Sequence, residues 1–214
     1  MPLILKNELK EEGVYGVWKV SEDEQYFLSL LQLFPSEQSE VSLLSARKRL
    51  EWLASRYLLH ILLGEEDRIP CLKDRYGKPH LNGSHFQISL SHSGDLVAVV
   101  IYALPCGIDV QYPVEKIHRI AKRFVNDDEQ KYLNPADQDY IMELHTIWGA
   151  KEAIYKAYGR KGVDFKNEIK IDPFTYNSSF FNFSGFLQRE TYTMEFECSA
   201  DLIHDFVLVL ALSN

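Results

Sequence analysis

Positive charge is scarce in this 214-residue chain: 23 Lys and Arg stand against 31 Asp and Glu, a formal net charge of −8. A general nucleic-acid binder carries a basic footprint, so that class is excluded, although a few local Lys and Arg suffice for a phosphate ligand. Cysteine is nearly absent too. Cys71, Cys106 and Cys198 are odd in number and far apart, so neither a C-x-x-C pair nor a disulfide framework is available. Long apolar runs are missing. The longest, Leu96 to Leu104, is closed by Pro105 and is far too short to span a bilayer. The opening MPLILKNELKEE shows no basic segment followed by an apolar one; the expectation is a cytoplasmic protein with no membrane partner. No Pro- or Gly-rich linker and no low-complexity tract interrupts the chain.

What is present is ordinary for a globular protein: 46% hydrophobic and 25% charged residues. A chain of this length buries roughly 70% of its unfolded surface, so it folds without a disulfide or metal. Leu43, Ala46, Leu50, Leu53, Tyr57 and Ile61 recur at helical spacing and Gly64 follows, which predicts a helix over 43–63. A second long helix is expected over about 138–158, ended by Gly159, with shorter helices over 115–124 and over 127–133, the last capped by Asp127. Strands are predicted over 14–20, 85–90, 96–103, 106–110, 180–187, 191–197 and 206–212. Each half thus holds a long helix followed by strands. The expected fold is α+β, divided at 1–104 and 105–214, with a site between two similar halves.

Five segments carry chemistry. In G-I-D-V-Q, residues 107–111, alternation puts Asp109 and Gln111 on the face of Gly107 and sends Ile108 and Val110 to the other. A carboxylate among apolar neighbours is costly unless paired or metal-bound; a turn aspartate is the plainer alternative. In W-G-A-K-E-A-I-Y-K, residues 148–156, Trp148, Glu152 and Lys156 share a helix face with Lys151 beside them. That is either a surface ion pair or a carboxylate for a metal or proton, flanked by ammonium groups suited to phosphate. S-L-S-H-S-G-D, residues 89–95, reads as a loop whose Ser91 and His92 could cradle phosphate, or as a plain hairpin turn. K-R-L-E-W-L-A-S-R, residues 48–56, puts Arg49 and Arg56 on one helix face, and Y-G-K-P, residues 76–79, is a turn bearing Lys78.

Taken in order, KRLEWLASR, YGKP, SLSHSGD, GIDVQ, RFVNDDEQKYL and WGAKEAIYKAYG closely resemble the motif series of the 4′-phosphopantetheinyl transferases of the surfactin-synthetase-activating (Sfp-like) type. The resemblance runs from about residue 47 to 162. It implies that the chain is an enzyme, moving the 4′-phosphopantetheine arm of coenzyme A to a serine of an apo acyl or peptidyl carrier protein and releasing 3′,5′-ADP. It implies two similar α/β halves related by a pseudo-two-fold, acting as a monomer. Asp109 and Glu152 would hold Mg²⁺, with Glu152 also the base for the serine proton. Lys156 and Lys151 would bind the pyrophosphate, and Lys156 could protonate the departing phosphate. Ser91 and His92 would contact the 3′-phosphate, Arg49 and Arg56 further phosphate oxygens, and Lys78 the adenine side. Where the family often has a glutamate this chain has Gln111, which would coordinate the metal through its carbonyl or orient a water, with one charge fewer. A non-catalytic relative that binds coenzyme A or carrier protein, or an unrelated metal-dependent nucleotide hydrolase, are the alternatives.

Overall fold

The computed structural model describes residues 2–214 as an α+β fold built from one unit used twice. The first unit begins with β2 (Val14–Lys19), passes through a long helix, α3 (Ala46–Leu63), and returns as the strands β3 (Cys71–Lys73), β4 (Pro79–Leu81), β5 (Gln87–Ser93) and β6 (Leu96–Tyr102). The second begins with β7 (Cys106–Gln111), passes through α4 (Tyr140–Tyr158), and returns as β8 (Ile169–Ile171), β9 (Phe181–Gln188), β10 (Thr193–Ile203) and β11 (Phe206–Ser213). Both sheets are antiparallel throughout and have the same order. The first runs β2-β6-β5-β4-β3 and the second β7-β11-β10-β9-β8. The first sheet carries one addition, β1 (Leu3–Glu8), on the outer edge of β2. Two short helices, α1 (Glu24–Leu30) and α2 (Pro35–Ser42), fill the connection into α3.

The apolar patterns explain this layering. β6 is buried along its whole length. Val97, Val99 and Ile101 join the core under α3, while Leu96, Ala98, Val100 and Tyr102 join the core between the two sheets. β11 does the same: Val207, Val209 and Ala211 meet α4, and Leu208 and Leu210 face the first sheet. A strand buried on both faces has no polar side to alternate with, hence the continuous apolar runs. Each long helix ends at a left-handed glycine, Gly64 at φ 68° and Gly159 at φ 70°. No helix among the described residues is long and apolar enough to cross a membrane.

Several sequence expectations are corrected. The helix predicted from 43 starts at Ala46, and Leu43 is 86% exposed. Residues 115–124 and 127–133 form short 3₁₀ turns, at Glu115–Arg119, Ala121–Arg123 and Glu129–Lys131. Ile117, Ala121, Phe124 and Val125 reach the core under α4 through these tighter turns, so no α-helix is needed to bury them. Asp127 does not cap the last of them; its N-cap is Asp128, and the Asn126 side chain just before it accepts from the backbone N–H groups of Asp128 and Glu129. The segment 89–93 is not a loop: β5 continues to Ser93, and the turn is confined to Gly94-Asp95.

Candidate active site at the fork between the sheets

The site is set by how β7 meets β5. Side chains on β5 alternate, so Ser89, Ser91 and Ser93 share one face. Each hydroxyl accepts a backbone N–H from β7 or the residue after it: Ile108 to Ser89 at 3.2 Å, Val110 to Ser91 at 3.2 Å, and Tyr112 to Ser93 at 3.1 Å. The N–H groups that β7 shows away from β11 are thereby satisfied without a partner strand. The S-x-S-x-S spacing was the available sequence signal for this seam. At its other side α4 crosses β7 closely at Gly107, where a Cβ would lie 1.8 Å from the Ala153 carbonyl oxygen. Only glycine lets α4 approach this strand.

Asp109 and Lys156 meet in this fork. The Lys156 ammonium lies 2.7 Å from Asp109 Oδ1 and donates to Ser91 Oγ and to the Ile108 carbonyl, both at 2.9 Å. Ser91 in turn donates to Asp109 Oδ1 at 3.0 Å. Glu152, one helical turn before Lys156, is half-buried. Burial pushes its carboxyl up, the neighbouring Asp109 charge pushes it further, and Lys156 opposes them. Two carboxylates close enough that the Asp109 charge raises the proton affinity of Glu152, with a single ammonium near them, form a site that favours an added cation. Among the described residues no three His, Cys, Asp or Glu side chains converge as a complete metal cage. A pair of hard oxygen donors fits Mg²⁺, which keeps several waters and takes the rest of its shell from substrate phosphates.

Gln111 occupies the same face but presents its amide, not its oxygen. Nε2 donates to the His145 carbonyl at 2.9 Å and points to Asp109 Oδ2 at 3.4 Å, while Oε1 lies 2.7 Å from His145 Nδ1. Its oxygen is therefore engaged, contrary to the expected ligand role.

Lys151 is not in the fork. It is fully buried beneath α4, donating to the Phe124 carbonyl at 2.6 Å, the Glu129 carboxylate at 2.9 Å and the Phe165 carbonyl at 3.0 Å. Ser91 and His92 point to opposite faces of β5, as strand alternation demands. His92 is exposed and pairs with Glu51 of α3 at 3.2 Å, so the two do not share one phosphate. Arg49 is paired with Glu24 at 2.6 Å. Arg56 is buried, with its guanidinium 4.6 Å from the centre of the Trp52 ring, and its Nε has no partner among the described residues. Trp148 is wedged between Phe124 and Phe165, which fixes the helix that carries Glu152.

A cavity of about 140 Å³ adjoins the fork, lined by Gly77, Lys78 and Pro79 on one side and Tyr155, Lys156 and Arg160 on the other. The Asp74 carboxylate accepts from the Tyr76 and Lys78 backbone N–H groups and so shapes this turn. Lys78 runs past Gly159 to the Ala157 carbonyl at the end of α4, and burial holds its ammonium below the usual value.

Comparison with known proteins agrees with this geometry. Residues 105–209 match the family model of the 4′-phosphopantetheinyl transferase superfamily. Over 112 residues, 51% of the chain, the sequence is 32% identical to the 4′-phosphopantetheinyl transferase gsp of Aneurinibacillus migulanus, covering 46% of that protein. Over 82 residues, 37% of the chain, it is 37% identical to the 4′-phosphopantetheinyl transferase psf-1 of Bacillus pumilus, covering 34% of it. The matches thus span less than half the length of either curated relative.

Proposed function

We propose, from the match of residues 105–209 to the family model of the 4′-phosphopantetheinyl transferase superfamily, that this chain transfers 4′-phosphopantetheine from coenzyme A to a serine of an apo acyl or peptidyl carrier protein. The other product is 3′,5′-ADP. The observation that carries the reading is the convergence of Asp109, Glu152 and Lys156 in the fork, beside a cavity framed by the Gly77-Lys78-Pro79 turn. Asp109 and Glu152 would hold Mg²⁺, which supplies positive charge against the pyrophosphate as its bond breaks. Glu152, with its raised proton affinity, takes the proton of the incoming serine. Lys156 sits where the leaving phosphate develops charge and can hold or protonate it. Ser91 orients Asp109 and Lys156 together instead of touching the nucleotide. Lys78 and Arg160 flank the cavity for the nucleotide end of coenzyme A. All these groups come from one chain, so the proposed chemistry needs no second subunit.

The test is to incubate the chain with coenzyme A, Mg²⁺ and an apo carrier protein and weigh the carrier. A gain of one phosphopantetheine is the expected result. Coenzyme A binding without that gain would point to a non-catalytic relative instead.

A carrier needs a docking surface near the fork, and the net charge of −8 would repel an acidic carrier. The exposed stretch after β7 supplies local attraction. Lys116, Arg119, Lys122 and Arg123 are exposed beside exposed Tyr112, Val114 and Ile120. Arg119→Glu with Lys122→Glu is expected to raise the KM for carrier on the order of tenfold and to blunt its salt dependence. Steady-state kinetics should show the KM for coenzyme A unchanged; an unchanged carrier KM would place docking elsewhere.

A further inference from the structure

The fork contains a buried polar link that the proposed chemistry does not use. Gln111 reaches over Gly149 of α4, where a Cβ would lie 2.7 Å from Gln111 Nε2. No larger residue at 149 leaves room for the amide. The amide is oriented by its surroundings: Nε2 faces two acceptors, the Asp109 carboxylate and the His145 carbonyl. A flipped amide would set its oxygen against both. The imidazole of His145, 4% exposed, is oriented by the same logic. The Val114 backbone N–H donates to Nε2 at 2.9 Å. The Val114 carbonyl also lies 3.3 Å from Nε2, but a backbone N–H can only donate, so Nε2 must accept. The proton then sits on Nδ1, which donates to Gln111 Oε1 at 2.7 Å. Every donor in the chain Val114, His145, Gln111, Asp109 has its acceptor, and only one proton arrangement satisfies all four.

We infer that Gln111 and His145 are positioning residues: a neutral clamp that ties β7 to α4 and fixes Asp109 Oδ2 from the side opposite Lys156, so that Gln111 serves the carboxylate instead of ligating the metal. This inference rests on the proposed transferase reading for what Asp109 does, but the clamp itself is a property of the free protein. Partners of this kind, one step removed from a metal, typically change metal affinity or activity 10–100-fold when removed. Gln111 is suited to the role because an amide can donate to the carboxylate and the helix carbonyl while accepting from the imidazole. A glutamate offers no donor to either.

The experiment has three readouts on the full chain. In the free, ¹⁵N-histidine-labelled protein, the imidazole signal that disappears in His145→Leu is expected to be the tautomer protonated at Nδ1. It should shift in Gln111→Leu; a signal protonated at Nε2 would overturn the clamp. Mn²⁺ binding, followed by electron paramagnetic resonance without coenzyme A, should weaken about tenfold in His145→Leu. If Gln111 instead ligates through Oε1, freeing that oxygen leaves Mn²⁺ binding equal or tighter, and the inference fails. Finally, kcat should fall about 10–100-fold in His145→Leu, with the KM for coenzyme A unmoved. His145→Asn, whose amide can stand in for Nδ1–H, should recover most of it, whereas equal losses in both variants would mean mere structural damage. Should the wild-type chain transfer nothing, the transferase reading fails while the tautomer and Mn²⁺ results still decide the clamp.

Discussion

Glu152→Gln is expected to cut phosphopantetheine transfer by about 10²–10⁴-fold, the usual loss when a general base is removed, without lowering the thermal midpoint. The two halves of this expectation come from one observation. Burial and the Asp109 charge both push the Glu152 carboxyl up, and only Lys156 acts against them. A carboxyl whose proton affinity is raised on folding is disfavoured in its ionised form, so at neutral pH it subtracts from stability. The sign is fixed by the direction of the shift. Stability associated with this group is fully present at low pH and is lost as pH rises through the raised value. A neutral glutamine of the same shape removes the desolvated charge and the repulsion of Asp109 together, so the variant should melt at the wild-type temperature or above it. It can no longer take a proton, and it is a poorer donor to Mg²⁺. Carrier mass measured over time, beside a thermal melt, checks both halves. Turnover like that of the wild type would remove Glu152 from the chemistry. Lost activity with a large drop in midpoint would make it a structural residue.

The long elements of this fold were legible in the sequence because burial leaves a periodic mark. α3 and α4 carry helical apolar spacing and a closing glycine, and β6 and β11 carry apolar runs that reflect cores on both faces. β3, β4 and β8 are three residues long, too short to show a period, and β1, α1 and α2 span only six to eight residues each and bury few of them. The equal strand orders of the two sheets rest on hydrogen-bond partners far apart in the chain, which no local window contains. The same distinction runs through the site. For Asp109, Glu152 and Lys156, spacing on a strand and a helix left a turn aspartate and a surface ion pair equally open; the motif resemblance singled them out, and the structure joins Asp109 to Lys156. His145 was not seen at all, since its role depends on a strand 34 residues away. His92 and Ser91 were grouped because they are neighbours in sequence, although a strand sends neighbours to opposite faces.

Lys151 is the sharpest instance of that error and gives the second large effect. Adjacent residues on a helix are about 100° apart, so a lysine next to Glu152 does not share its face. Lys151 enters the interior instead. Its ammonium is fully buried, and its three hydrogen bonds tie the Phe124 and Phe165 carbonyls and Glu129 to α4. Glu129 is buried as well and accepts from the Asn126 and Ile171 backbone N–H groups. The lysine thus locks the 3₁₀ turns, the loop before β8 and β8 itself onto α4. Burial pulls Lys151 down and Glu129 up, each toward its neutral form, while their mutual attraction holds the charges in place. Lys151→Met removes one charge and strands the other among orphaned carbonyls. Breaking a buried pair in this way costs about 3–5 kcal/mol, and at roughly 2–4 °C per kcal/mol for a chain of this size the midpoint should fall on the order of 10 °C. Glu129→Gln added to Lys151→Met neutralises the stranded carboxylate and should recover part of that loss, a non-additivity expected only of groups in contact. Were Lys151 a pyrophosphate ligand, the single variant would melt normally and raise the KM for coenzyme A. Thermal melts and coenzyme A titrations of the single and double variants, measured where each is folded, tell the two apart, and the burial of Lys151 predicts a collapse in stability with coenzyme A affinity preserved.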